Sequence, residues 1–211
     1  MPAKTIRTLL STMLVVTAPA LAQSPSPGTY PAGWTVRPDQ GGSPGEIRFA
    51  PMEPGFHLTL GPAAILYRTE DKASGPFHTL VTFHQTKKPR HPEGYGLFVG
   101  GQDLAGKNQK YTYFLVRGDG TYLIKQRKGD TTAEISKGWT PHPAVKKENA
   151  EGKTTNLLEI DAKQDPQKVE FKVNGQTVYS ADSKRFDLNG IVGIRANHNL
   201  DLHFEGFAVH Q

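Results

Sequence analysis

The chain has 211 residues, enough for one domain of ordinary size with a full core. It holds 25 Lys and Arg against 20 Asp and Glu, scattered without a long basic run, which argues against nucleic acid as a partner. It has no Cys, so thiol catalysis, thiolate metal sites and disulfide staples are excluded.

Residues 1–22, MPAKTIRTLLSTMLVVTAPALA, carry Lys4 and Arg7, then an apolar stretch from Leu9 to Val16, and end in Ala20-Leu21-Ala22. This is the layout of a secretory signal peptide cut after Ala22, and its apolar part is too short to span a membrane. The expectation is a secreted or periplasmic bacterial protein with no membrane attachment after cleavage. Its mature charge falls to about +3. Residues 23–45 are rich in Pro, Gly and Ser and read as a linker, with Trp34 tucked against the edge of the domain.

From residue 46 to 211 the pattern is strand after strand. EIRFAPM, FHLTLG and AAILYR come first. PFHTLVTFHQ then alternates, with Phe77, Thr79, Val81 and Phe83 on one side and His78, Leu80, Thr82 and His84 on the other. GYGLFVGG, KYTYFLVR, TYLIKQRK, TNLLEIDA, KVEFKVNG, QTVYSA, GIVGIRA and LDLHFEGFAV follow, separated by Gly, Asn, Asp and Pro. Closely spaced runs of period two predict an all-β sandwich or barrel.

Two hairpins are nearly explicit, around Asp119-Gly120 and Asn174-Gly175. A two-residue turn at Asp119-Gly120 pairs Val116 with Leu123, Phe114 with Lys125, Leu115 with Ile124 and Arg117 with Tyr122. Phe114, Val116 and Leu123 then face the core. The opposite face carries Tyr111, Tyr113, Leu115, Arg117, Tyr122, Ile124 and Gln126, too aromatic to be merely wet. The Arg117-Gly118-Asp119 triplet is accounted for by the same turn, without a receptor.

The segments YGLFVGG (95–101), YTYFLVRGDGTYLIKQR (111–127), TTNLLEIDAKQDPQKVEFKVNGQTVY (154–179) and LNGIVGIRANHNLDLHFEGFAV (188–209) resemble the concanavalin A-like lectin and glucanase superfamily. Within it the pattern is most similar to three-keto-disaccharide hydrolase-like domains. The resemblance covers about two thirds of the mature chain. It implies a two-sheet antiparallel jelly roll, a frame that serves enzymes, lectins and spacer domains alike.

The run NLLEIDAKQD places Glu159 and Asp161 two apart on a strand. A retaining glycosidase needs a second carboxyl about 5 Å from the first. The glucanase signature continues to a third acid, where this chain has Lys163 or Gln164. Glu159 and Asp161 therefore read as a solvated strand face, and no catalytic residue is assigned. The eight His show no close metal-binding spacing, and Asp201, His203 and Glu205 read as the polar side of the last strand, so neither a metal nor another cofactor is expected.

The residues assigned to ligand binding are Tyr111, Tyr113 and Tyr122 as a stacking platform, Arg117, Gln126 and His84 as hydrogen-bonding groups, and Trp139 from the 137–153 loop. The expectation is a carbohydrate-recognition domain that holds a glycan on the concave sheet face. The alternatives are a keto-sugar glycoside hydrolase, with His84 beside Glu93 or Asp103, and a structural or interaction domain without a ligand.

Overall fold

The computed structural model describes residues 28–39 and 41–211, and the expected signal peptide lies outside them. The first strands are β1 (Thr35–Pro38), β2 (Ile47–Met52), β3 (Gly55–Leu60), β4 (Ala64–Ala73), β5 (His78–Gln85), β6 (Tyr95–Gln102), β7 (Lys110–Arg117) and β8 (Thr121–Lys128). The rest are β9 (Thr131–Glu134), β10 (Thr140–Pro141), β11 (Thr154–Asp161), β12 (Lys168–Val173), β13 (Gln176–Asp182), β14 (Gly190–Ala196) and β15 (Asp201–His210). They form two antiparallel sheets, as expected of a jelly-roll sandwich. One has the order β1-β4-β14-β6-β7-β8-β10 with β9 beside β8, and the other β13-β12-β11-β5-β15-β3-β2. Among the described residues no helix is long and apolar enough to cross a membrane.

Alternation sets the inner layer. On β5, Thr79, Val81 and Phe83 are buried, while His78, Leu80, Thr82 and His84 face outward, as the sequence predicts. Phe83, Tyr95, Leu97, Phe114, Leu158, Phe171, Ile194 and Phe204 belong to one continuous core between the sheets. A second apolar cluster of Ile65, Tyr67, Phe98, Leu104, Tyr111, Tyr113 and Leu115 includes alternate residues of β4 and β7, on the outer side of the eight-stranded sheet.

The sandwich begins earlier than residue 46. β1 lies inside the stretch expected to be linker and pairs with β4 from Thr35↔Tyr67 to Pro38↔Ala64. Trp34 is buried, and its ring meets Phe49, Phe56 and Phe204 edge-on at centroid distances of 5.2, 5.4 and 6.0 Å. Pro and Gly marked the segment as irregular, but its short apolar content has an open sheet edge to join.

The Asn174-Gly175 hairpin is the two-residue turn expected, with Val173 opposite Gln176 and φ of +50° and +78° at the turn residues. The other hairpin corrects the sequence reading. Arg117 pairs with Thr121, so the loop is Gly118-Asp119-Gly120, with Gly120 at φ +89° donating its N–H to Arg117 O at 3.1 Å. A three-residue loop with a left-handed last residue is the next commonest hairpin solution. The one-residue slip exchanges the faces of β8: Tyr122 and Ile124 join the inner core, whereas Leu123 faces outward opposite Leu115.

Candidate functional site

Antiparallel register places the outer residues of the eight-stranded sheet in rows. One row runs Thr35, Tyr67, Gly193, Phe98, Tyr113, Lys125, Glu134. The next runs Arg37, Ile65, Arg195, Gly96, Leu115, Leu123. Tyr111 stands opposite Arg127. The β6–β7 loop reaches β1, where Arg37 Nη2 donates to Gly106 O at 2.9 Å and Nη1 to Gln109 Oε1. With this cover the tyrosines are no open platform: Tyr111 is 3 % exposed and Tyr113 8 %.

Arg195 anchors the site. It sits in the apolar run GIVGIRA, is buried, and forks onto Asp39 with both Nη–Oδ distances at 2.7 Å. Its guanidinium lies 5.9 Å from the Tyr113 ring. Arg127 Nη2 stands 3.6 Å from the same Asp39. Burial pushes the Asp39 carboxyl up, but the Arg195 hydrogen bonds and the charges of Arg195, Arg127 and His198 outweigh it and hold the pKa below the ordinary value. Burial also raises Tyr111 and Tyr113, so both phenols stay protonated.

A cavity of about 680 Å³ opens beside this pair, lined by Arg37, Asp39, Gln109, Arg127, Asp130 and His198, with Lys107 at its rim. Among the described residues Arg127 Nε, Arg195 Nε and Tyr111 OH are buried without a hydrogen-bond partner. Buried polar groups are ordinarily satisfied. Of the three only Arg127 lines the cavity; Arg195 and Tyr111 stand behind it, beside the Asp39 pair.

The seven residues assigned from sequence do not make one site. Tyr111, Tyr113 and Arg117 share the outer face. Trp139 reaches it from the β9–β10 loop, with the Arg117 guanidinium 4.3 Å from its ring centre and its own ring packed on the second apolar cluster. Arg117 Nε donates to Asp119 Oδ2 at 2.7 Å and to Thr121 Oγ1 at 3.0 Å, so the Arg-Gly-Asp triplet is tied into its own turn. Tyr122 packs in the inner core against Phe114, and Gln126 points to Arg185 O at 3.1 Å, both consequences of the hairpin slip. His84 lies on the other sheet, bonded to Thr155 Oγ1 at 2.9 Å and Glu205 Oε1 at 3.1 Å. Asp103 belongs to the β6–β7 loop of the eight-stranded sheet, and Glu93, in the β5–β6 loop, has His198, His91, Arg117 and Asn197 around it rather than His84. Asp103 instead closes its own loop by accepting from Asn108 N at 3.2 Å.

The Glu159 and Asp161 expectation needs one correction. Glu159 is paired with His78 at 3.0 Å, and Asp161 is buried, accepting from Lys172 Nζ at 3.0 Å and the N–H groups of Lys163 and Gln164. They share a face as predicted, but their carboxylates are engaged by neighbouring side chains rather than open to water.

Register also sets His57, His203 and His84 side by side on three strands of the seven-stranded sheet. Among the described residues no three His, Asp or Glu are placed to hold a metal ion. Burial, then the neighbouring His84 charge, lowers the His203 pKa against the pull of Glu205. A depressed histidine binds its proton more weakly folded than unfolded, so it costs nothing above the unfolded value near 6.5 and destabilises as pH falls through it. His203→Gln is expected to flatten the loss of stability between about pH 7 and pH 5. Urea midpoints at the two pH values check it, and an unchanged slope would refute it.

No family model matches the sequence, and no curated protein does. Solved structures do match. The carbohydrate-binding module CBM66 from Bacillus subtilis superposes with TM-score 0.59 at 15 % identity, over 85 % of this chain and 96 % of that one. The likeness is one of fold. A protein of unknown function with a galectin-like fold, also from Bacillus subtilis, gives 0.56 at 12 % identity over 84 % and 89 %. The carbohydrate recognition domain of Emp46p gives 0.53 at 11 % identity over 85 % and 88 %. At these identities the shared feature is the two-sheet sandwich fold alone.

Proposed function

We propose that this chain is an exported saccharide-binding domain whose ligand enters the cavity between Arg37, Asp39, Gln109, Arg127 and His198. The carrying observation is the cavity itself, where Arg37, Gln109, Arg127 and His198 bring polar side chains to one space beside the Asp39–Arg195 pair. A sugar presents hydroxyl donors and acceptors in the density that such a polar lining requires. Two of the structural neighbours are named for carbohydrate recognition, which supports the same reading. Export rests on the leader sequence at residues 1–22.

The test is calorimetric titration of the chain with a panel of neutral and acidic oligosaccharides. Arg127→Ala is expected to weaken binding by roughly tenfold or more, the worth of a hydrogen bond to a charged group. His84→Ala and Tyr122→Phe, on the other sheet and in the core, are expected to leave it unchanged. Binding that ignores Arg127 but falls with His84 would move the site to the other sheet.

One observation favours a hydrolytic second reading. Burial raises the Glu93 carboxyl against the pull of His198, His91 and Arg117, the direction a general acid requires. It would concern keto-sugar glycosides, as the family resemblance implies. Released sugar in the same incubations, absent with Glu93→Gln, would establish it.

A further inference from the structure

The cavity is unevenly charged. Arg37, Lys107 and Arg127 line it with His198, against Asp39 and Asp130. Asp39 is already engaged by the two-pronged bond from Arg195. Arg37 is half-buried, and its guanidinium is held by neutral acceptors alone, Gly106 O and Gln109 Oε1. Among the described residues neither Arg37 nor Lys107 has a carboxylate within ion-pair distance; the nearest acid to Arg127 is the shared Asp39 at 3.6 Å. A half-buried cation without a counter-ion, as Arg37 is, is costly unless something else supplies the charge.

The donor chemistry points the same way. A guanidinium donates and never accepts, so the N–H groups that Arg37 and Arg127 turn to the cavity call for acceptors. A hydroxyl offers lone pairs, but a carboxylate or sulfate offers more of them, with the charge that Arg37 lacks. The planar guanidinium groups of Arg37 and Arg127 on one space match an oxyanion better than a ring hydroxyl.

Resting on the reading of this cavity as a saccharide site, we propose that its ligand is an acidic saccharide whose carboxylate or sulfate ester lies among Arg37, Lys107 and Arg127. The rest of the sugar lies toward Gln109 and His198, which line the same cavity. Recognition is then salt-sensitive, because part of the attraction is between charges near the surface.

The full chain is titrated with paired ligands that differ only in charge. One pair is an oligogalacturonate and its methyl ester; the other is a sulfated oligosaccharide and its desulfated form. The charged member of at least one pair is expected to bind tenfold or more tightly at low salt, with the gap narrowing as salt rises. Arg37→Gln is expected to erase the gap. Lys107→Ala, an exposed rim position that leaves the fold alone, is expected to shrink it. Preference within the first pair assigns a carboxylate, within the second a sulfate ester. Equal binding of charged and neutral partners overturns the acidic-ligand inference while leaving the saccharide reading standing. Failure of every saccharide, neutral or acidic, overturns both.

Discussion

Asp39→Asn is expected to lower the stability of the fold by roughly 3 kcal/mol, the low end of what breaking a buried pair costs. The loss comes from Arg195, which stays buried with its charge uncompensated. Asp39 keeps some contact with water, which argues for the low end. In a chain of this size the melting temperature should fall by roughly 10 °C. Arg195→Met combined with Asp39→Asn should lie closer to the parent than either single change, since an apolar side chain suits the Ile65 and Tyr113 surroundings. The pH dependence has a definite sign. The folded carboxyl titrates below its unfolded value of about 3.9, so its stabilisation is complete above that value and lost as pH falls through the folded pKa. The gap between parent and Asp39→Asn should therefore close in strong acid. A gap of under 1 kcal/mol at neutral pH would show that Arg195 tolerates its position without the pair.

Trp34→Ala should cost about 3–5 kcal/mol, the range for removing a buried aromatic side chain. Its indole fills the edge between the sheets against Phe49, Phe56 and Phe204, and the Arg68 guanidinium lies 5.2 Å from its centre. A chain beginning at residue 46 should be less stable still, because it loses β1 as well and leaves β4 as an unpaired edge. Thermal unfolding of the two variants beside the parent decides it. Equal melting temperatures would return residues 23–45 to the status of a linker.

Much of the architecture was legible because it is local. Strand alternation on β5 and the Asn174-Gly175 turn follow from side-chain period and from which residues accept positive φ. The Asp119-Gly120 hairpin was located correctly but paired one residue out. Gly118 and Gly120 allow a two- or a three-residue loop, and local chemistry does not choose between them. Burial chooses: the observed register sends Tyr122 and Ile124 inward, where Phe114 and Val116 already lie. That single slip removed Tyr122 and Gln126 from the ligand face.

The face was legible in the sequence, but the cavity was not. Tyr111, Tyr113 and Arg117 do share one strand face, as read, but they do not line the cavity, and Arg37, Asp39, Arg127 and Arg195 were not singled out. One signal was available. An arginine in the middle of GIVGIRA is a charge inside a core strand, and such a charge requires a partner. The sequence alone did not say where that partner lay, since Asp39 is 156 residues away, beyond a Pro-Gly-rich stretch.

The amino-acid sequence by itself determined that this is an all-β sandwich of amphipathic strands, because apolar alternation and turn residues act within a few residues of one another. The tertiary structure alone decided which outward faces meet. Sheet order brings β1 and β14 close in space though they lie at opposite ends of the chain. The β6–β7 loop then reaches Arg37 and helps turn an exposed tyrosine face into a charged cavity. Contacts of that kind depend on pairing free energies summed over the whole sheet, which no short stretch of sequence carries.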